Sequence, residues 1–150
     1  MEISGKKAII VGGASGFGRA TAESLAARGA SVAILDRPES DGKTVAAGIG
    51  ASFHEVDVTD FGGTEQVLNQ AIEDLGGLHV IVTTAGGGIG ERTIKKDGPH
   101  SLDSFRSTID LNLIGSFKVE PNENFVVHLT APVNAAIGDG TGVGEIVNDD

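Results

Sequence analysis

The feature that most constrains the fold is a glycine-rich segment between two short apolar runs. The apolar runs are residues 8–11 and 32–35, and three spaced glycines, Gly12, Gly16 and Gly18, follow the first run. Short apolar runs of this kind are typical of buried parallel strands. A stretch with helical character joins the glycines to the second run, so the segment predicts a strand–helix–strand unit.

The turn that precedes the predicted helix has the chemistry of an anion site. Glycine lets the backbone approach a ligand without a Cβ atom in the way. A helix that begins near Gly16 presents unpaired N–H groups and the positive end of its dipole. Asp36 follows Gly16 by 20 residues at the end of the second strand, where a carboxylate accepts hydrogen bonds from a ribose 2′-OH and repels a 2′-phosphate.

The pattern therefore indicates a dinucleotide site that prefers NAD to NADP, although Arg37 beside Asp36 weakens that preference. The alternative is a tight turn that binds no ligand, because Thr21 occupies the place of the third glycine in the stricter G-x-G-x-x-G motif.

Apolar runs and helical patterns continue to alternate as far as residue 84. Strands are predicted at residues 52–56 and 78–84, and helices at residues 40–50 and 60–75, with Thr59 or Asp60 as the cap of the second of these helices. Right-handed crossovers give the strand order 3-2-1-4 with helices on both faces. The predicted fold is thus α/β, with a truncated Rossmann-type parallel sheet.

A further helix is predicted after a polar loop at residues 86–100. Ser101 is a suitable N-cap for it, and the helix is expected to span residues 101–117. Its apolar side chains form a single stripe, Leu102, Phe105, Ile109, Leu113 and Phe117.

The glycine spacing G-x-x-x-G-x-G resembles that of the short-chain dehydrogenase/reductase family. Three further segments resemble the same family: VDVTD at residues 56–60, TTAG at residues 83–86 and LNL at residues 111–113. The resemblance covers about residues 5–118 and is greatest to the family's 3-hydroxyacyl-CoA dehydrogenases. It implies an NAD-dependent oxidoreductase whose acyl-CoA substrate lies beside the loop at residues 86–100.

The resemblance also assigns the site residues. Asn112 corresponds to the family's structural and catalytic asparagine, although a backbone-satisfied structural asparagine is the alternative. The cofactor-binding residues are Gly12, Ser15, Gly16, Phe17, Gly18, Asp36, Asp57, Val58, Ala85 and Gly86.

The sequence departs from the family in its catalytic residues. The family's serine, tyrosine and lysine follow the helix of Asn112, and this chain contains no tyrosine at all. Val11 and Thr83 replace polar residues that tie the cofactor loops together in the family. We therefore expect an NAD-binding half-domain that is inactive alone, with a non-catalytic nucleotide-binding module as the alternative.

The character of the chain changes after residue 118, which divides a dinucleotide-binding domain (residues 1–118) from a β-rich acidic tail (residues 119–150). The tail contains six of the 21 acidic residues and neither lysine nor arginine, and it resembles the end of a Calx-beta domain. A Ca²⁺-dependent interaction segment is therefore a third interpretation. We expect residues 125–129 to add a fifth parallel strand beside residues 78–84, with residues 143–147 nearby.

Composition excludes several classes of function. The net charge of −10 without a basic patch argues against nucleic acid and anionic membranes. There is no cysteine, and the histidines do not have metal-ligand spacing. No signal-like or membrane-spanning run is present, so a cytoplasmic protein is expected. An open edge of the sheet makes a homo-oligomer a further expectation.

Overall fold

The structure, a computed structural model, describes residues 2–90, 92–96, 98–117, 123–128 and 141–146. The chain divides into two compact units, Met1–Val119 and Glu120–Asp150, and each is described by itself. The functional boundary at residue 118 stays a prediction.

The first unit is built on a parallel sheet of four strands. The strands are β1 (Lys7–Val11), β2 (Ser31–Asp36), β3 (Ser52–Glu55) and β4 (Val80–Thr83). Their order is β3-β2-β1-β4, and Ile9 of β1 lies opposite Ala33 on one side and Ile81 on the other. The strand order predicted from the sequence is confirmed.

Three helices connect these strands. They are α1 (Gly16–Ala27), α2 (Gly42–Ile49) and α3 (Phe61–Leu75). Of the two candidate caps of α3, Asp60 is the one that serves, because its side chain accepts a hydrogen bond of 3.2 Å from the backbone N–H of Gly63. Left-handed glycines end α2 and α3, at Gly50 with φ 68° and at Gly76 with φ 71°.

The core lies on both faces of the sheet because strand side chains alternate in direction. Ile10 and Ile34 point to the face that α1 and α2 cover. Ile9 and Leu35 point to the opposite face, where α3 packs. These side chains are 0–1% exposed, and burying each one contributes about 1.5–3 kcal/mol. The prediction of helices on both faces is confirmed.

The helix predicted at residues 101–117 is interrupted. It consists of α4 (Leu102–Ile109), a π-helical turn (Asp110–Ile114) and α5 (Gly115–Phe117). Ser101 caps α4 as predicted, since its Oγ accepts a hydrogen bond of 3.4 Å from the N–H of Ser104.

Most of the apolar side chains predicted to form one stripe of this helix are exposed. Leu102, Phe105 and Leu113 are 54–60% exposed, whereas Leu111 packs against the core beneath α3. The π-helical turn follows Leu102 and Phe105, so it shifts the phase of Leu113 relative to them but does not account for their own exposure. The side chain of Phe117 lies outside the described residues.

The loop predicted at residues 86–100 contains a short ladder. The strands β5 (Ile94–Lys95) and β6 (Gly98–Pro99) pair antiparallel, with Ile94 opposite Pro99. A two-residue ladder has no period that sequence could reveal.

The described part of the second unit consists of two strands, β7 (Glu123–His128) and β8 (Thr141–Ile146), which pair antiparallel in a sheet of their own. The prediction of residues 125–129 as a fifth parallel strand is therefore wrong. Two strands that follow each other in the chain can pair antiparallel directly, and β8 gives β7 such a partner. Residues 129 and 147, which the prediction included, lie outside the described residues.

Substitution by alanine should have opposite effects on stability at two helical glycines. A Cβ atom at Gly18 would meet the carbonyl oxygen of Gly12 and the hydroxyl of Thr84, whereas a Cβ atom at Gly48 would have nothing within 4 Å. Gly18→Ala should lower the free energy of unfolding by about 1–3 kcal/mol. Gly48→Ala should raise it by about 0.5–1 kcal/mol. Urea denaturation measures both, and equal effects at the two positions would contradict the packing described here.

Candidate cofactor site

The predicted site residues converge on a cavity of about 530 Å³ at the carboxyl ends of the strands. Parallel sheets bind ligands at this edge because their loops and helix N-termini meet there. Seven of the predicted cofactor-binding residues line the cavity: Gly12, Ser15, Asp36, Asp57, Val58, Ala85 and Gly86. The other three, Gly16, Phe17 and Gly18, form the adjoining first turn of α1.

The glycines of the turn are required for two different reasons. Gly12 has a φ of 80°, and a Cβ atom on it would lie 2.5 Å from the backbone nitrogen of Ala85. Gly16 has a φ of 52° but open space around it. Gly12 thus allows the turn to approach the loop after β4, while Gly16 supplies the left-handed conformation that starts the helix.

The N-terminus of α1 has the properties of an anion site. The side chain of the N-cap, Ser15, makes no capping hydrogen bond, and the first turn contains no acidic residue. Neither a side-chain oxygen nor a carboxylate of that turn therefore satisfies its N–H groups or opposes the helix dipole. Residues 15–17 of this turn are exposed, Phe17 to 88%, whereas Gly18 is buried.

The carboxylate of Asp36 is fixed by two backbone amides. Its Oδ2 accepts a hydrogen bond of 2.8 Å from the N–H of Ala14, and its Oδ1 accepts one of 2.8 Å from the N–H of Arg37. A carboxylate has about four lone-pair positions, so acceptor capacity remains for two ligand hydroxyls. Asp36 therefore joins the glycine turn to the end of β2 and can still bind a diol.

Asp57 is fixed in a similar way by its neighbour Thr59. One carboxylate oxygen accepts hydrogen bonds from the hydroxyl of Thr59 at 2.7 Å and from its N–H at 2.9 Å. These two bonds, and to a smaller extent the charge of Arg37, hold the pKa of Asp57 below its usual range. The side chain therefore stays ionised to a lower pH than an ordinary aspartate does.

A threonine outside the predicted site residues, Thr84, ties the two loops of the site together. The hydroxyl of Thr84 donates to the carbonyl oxygen of Val11 at 3.0 Å and also lies 3.2 Å from that of Gly12. The replacements at Val11 and Thr83 predict weaker ties between these loops, yet Thr84 supplies a tie between them. The sequence does contain a signal for this tie, because Thr84 carries a hydroxyl directly after Thr83, the residue of β4 that lies opposite Val11.

Asn112 lies in the π-helical turn and binds the loop that follows β4. Its Oδ1 accepts a hydrogen bond of 3.1 Å from the N–H of Gly87, and its Nδ2 donates to the carbonyl oxygens of Gly87 at 2.6 Å and Thr108 at 2.7 Å. The side chain is exposed, so it is satisfied by backbone groups without being buried. A catalytic role for it stays a prediction.

A second cavity of about 560 Å³ lies between α2, β3 and α3, and its lining includes Lys43, Phe53 and His54. The Nε2 of His54 is within 3.2 Å of the Ser52 hydroxyl and 3.7 Å of an Asp74 carboxylate oxygen, so its side chain is already engaged. None of the predicted site residues lines this cavity. The cavity at the carboxyl ends of the strands is therefore the candidate cofactor site.

Known proteins share this arrangement. Residues 6–122 match the short chain dehydrogenase family. The chain belongs to this family. Among the curated members, the 3-hydroxyacyl-CoA dehydrogenase type-2 of Bos taurus is 42% identical over 122 residues, and that of Homo sapiens is 39% identical. Each of these two matches covers 79% of this chain and 47% of the relative.

Two solved structures of dehydrogenases/reductases have the same fold. A dehydrogenase/reductase from Sinorhizobium meliloti 1021 superposes with a TM-score of 0.70 at 28% identity, over 79% of this chain and 48% of that one. A short-chain type dehydrogenase/reductase from Mycobacterium ulcerans gives a TM-score of 0.72 at 25% identity, over 79% and 45%. The chain thus spans about half the length of the relatives it matches.

Two kinds of feature are absent from the described residues. None of the described helices has the length and apolar character needed to cross a membrane. Within the same residues, no group of three or more histidine, aspartate or glutamate side chains is placed to hold a metal ion.

The hydrogen bonds of Asn112 predict a measurable link between the helix and the loop. Asn112→Ala removes all three bonds and should lower the free energy of unfolding by about 1–2 kcal/mol. It should also speed hydrogen exchange at the N–H of Gly87, which loses its acceptor. Asn69→Ala, at an exposed position of α3, is the matched control and should change stability by less than about 0.5 kcal/mol. Unchanged exchange at Gly87 would show that Asn112 does not secure the loop.

Proposed function

We propose that the first unit binds NAD and is the cofactor-binding portion of a 3-hydroxyacyl-CoA dehydrogenase-like oxidoreductase. The observation that carries this proposal is the position of Asp36, whose carboxylate is hydrogen-bonded to Ala14 in the turn that leads into α1. That bond places a diol acceptor next to a helix N-terminus that has no opposing charge. A ribose hydroxyl pair and a pyrophosphate need this combination of groups.

Several parts of the cofactor have a matching group in or beside the cavity. The N–H groups of Gly16, Phe17 and Gly18 would bind the pyrophosphate at the positive end of α1. Asp36 would accept hydrogen bonds from the adenosine ribose, and Asp57 with Val58 would contact the adenine. The backbone of Ala85 and Gly86 would border the cofactor on the side of β4. NAD, when bound, supplies a hydride acceptor for oxidation of a CH–OH group.

The proposed substrate class is a 3-hydroxyacyl-CoA. The names of the bovine and human relatives support it, and so does the loop at residues 86–100, which leaves the carboxyl end of β4 beside the cavity. Arg92 and Lys96 in this loop are exposed and would favour an anionic substrate. A homo-oligomer is proposed as well, since β4 ends the described sheet and an edge strand invites pairing.

A non-catalytic nucleotide-binding module is the second candidate, and one observation favours it. The chain has no tyrosine to act as the proton-transferring group that the family uses. General acid–base catalysis requires a positioned group of suitable pKa within hydrogen-bond reach of the substrate. We therefore propose that this chain alone binds NAD without turning over substrate.

The role of Asp36 is tested by a charge-removing substitution. Asp36→Asn keeps an oxygen that can accept from Ala14 but removes the negative charge. It should weaken NAD by about tenfold, because hydrogen bonds to charged groups are the stronger ones, and it should narrow the gap between NAD and NADP. Isothermal titration calorimetry measures both affinities. Asp41→Asn, at an exposed acid five residues further along, is the control, and an unchanged NAD/NADP ratio in Asp36→Asn would remove Asp36 from the site.

Catalysis is tested directly with purified protein. The chain, supplied with NAD and a 3-hydroxyacyl-CoA, should produce no NADH above the background of the buffer, because no tyrosine is present to take the substrate proton. Absorbance of NADH follows the reaction. Steady production of NADH that Asp36→Asn reduces would prove the protein to be an active enzyme.

A further inference from the structure

The segment that follows Asp36 is a rigid turn. The N–H of Ser40 donates to the carbonyl oxygen of Arg37 at 3.0 Å, and the hydroxyl of Ser40 donates to the same oxygen at 2.6 Å. Pro38 occupies the second position of this turn, where its fixed φ favours the bend. The backbone between Arg37 and Glu39 is therefore held in one conformation, which reduces the entropy lost when the two side chains pair.

Within this turn, Arg37 and Glu39 form an ion pair. The distance from Arg37 Nη1 to Glu39 Oε1 is 3.1 Å, and the two side chains are 65% and 61% exposed. An exposed ion pair is usually weak, but here the turn already holds the two residues close together, so less entropy is lost when their side chains pair. The guanidinium group of Arg37 is therefore already engaged by a carboxylate.

Arg37 also lies beside the proposed adenosine site. It lines the cavity next to Asp36, its N–H donates to Asp36 at 2.8 Å, and its charge acts on Asp57. An arginine in this position suits the 2′-phosphate that distinguishes NADP from NAD, since its planar fork binds phosphate in a bidentate manner. The question is what prevents Arg37 from doing so.

We propose that Glu39 is a specificity-determining residue, which holds Arg37 in an ion pair and thereby withholds its guanidinium group from a 2′-phosphate. This inference rests on the proposed NAD-binding function and adds a second source of selectivity to it. Asp36 repels the 2′-phosphate directly. Glu39 removes the cation that would otherwise compensate for that repulsion.

Calorimetric titration of the full chain with NAD and with NADP tests the proposal. Glu39→Gln breaks the ion pair and should tighten NADP about two- to fivefold, the range that corresponds to an exposed pair, while the affinity for NAD stays within about twofold. Arg37→Ala in the otherwise unchanged chain should have little effect on NADP or on NAD, because the ion pair already keeps the guanidinium group from the 2′-phosphate. When Glu39→Gln is combined with Arg37→Ala, it should not raise the affinity for NADP, because the guanidinium group that it would release is absent.

The double variant separates this proposal from a general effect of charge. If Glu39→Gln tightened NADP equally with and without Arg37, simple loss of a negative charge would explain the gain and the proposal would be wrong. Asp41→Asn removes a charge two residues further along the same loop and should leave the NAD/NADP ratio unchanged. If the protein binds NAD but Glu39→Gln leaves the ratio of NAD to NADP affinity unchanged, this inference is wrong and the proposed function stands. Failure of both dinucleotides to bind any variant overturns the proposed function together with the inference.

Discussion

The site depends on the close approach of two backbone segments, the turn after β1 and the loop after β4. Gly12 allows this approach, because a Cβ atom there would lie 2.5 Å from the nitrogen of Ala85. The N–H and the hydroxyl of Thr84 both donate to the carbonyl oxygen of Val11, at 2.8 Å and 3.0 Å. Since α1 starts from the same turn, this contact also sets where the N-terminus of the helix points relative to the sheet.

The site brings groups of opposite charge close together in space. The N-terminus of α1 carries the positive end of a helix dipole without an acidic residue in its first turn. Asp36 and Asp57 face the same cavity and are each fixed by hydrogen bonds from neighbouring groups. Such an arrangement suits a ligand with an anionic centre and a hydroxyl-bearing end, which is the chemistry of a dinucleotide.

Local patterns were sufficient to predict the parallel sheet. The apolar runs that form β1 and β2 are buried on both faces of the sheet, and a continuous apolar run in a sequence indicates burial of this kind. Asp60, one of the two candidate caps of α3, follows from local hydrogen bonding, and the predicted end of that helix at residue 75 follows from the backbone freedom of Gly76. The strand order then follows from the right-handedness of crossovers.

Features that depend on distant contacts could not be predicted in this way. The π-helical turn contains Asn112, whose partner Gly87 lies 25 residues away, and an i-to-i+5 turn has no sequence period of its own. The bond from Thr84 to Val11 spans 73 residues. The alternation of apolar residues predicts that residues 125–129 form a strand, but it does not predict which strand they pair with. The partner is β8 and not the open edge at β4.

The position of bound NAD is the most direct test of this description of the site. NAD is titrated into isotope-labelled protein while the backbone amide resonances are followed by NMR. The amides of Gly16, Phe17 and Gly18 should shift most, together with those near Asp57. Shifts that cluster instead around Lys43, Phe53 and His54, in the cavity between α2, β3 and α3, would contradict the assignment of the cofactor site.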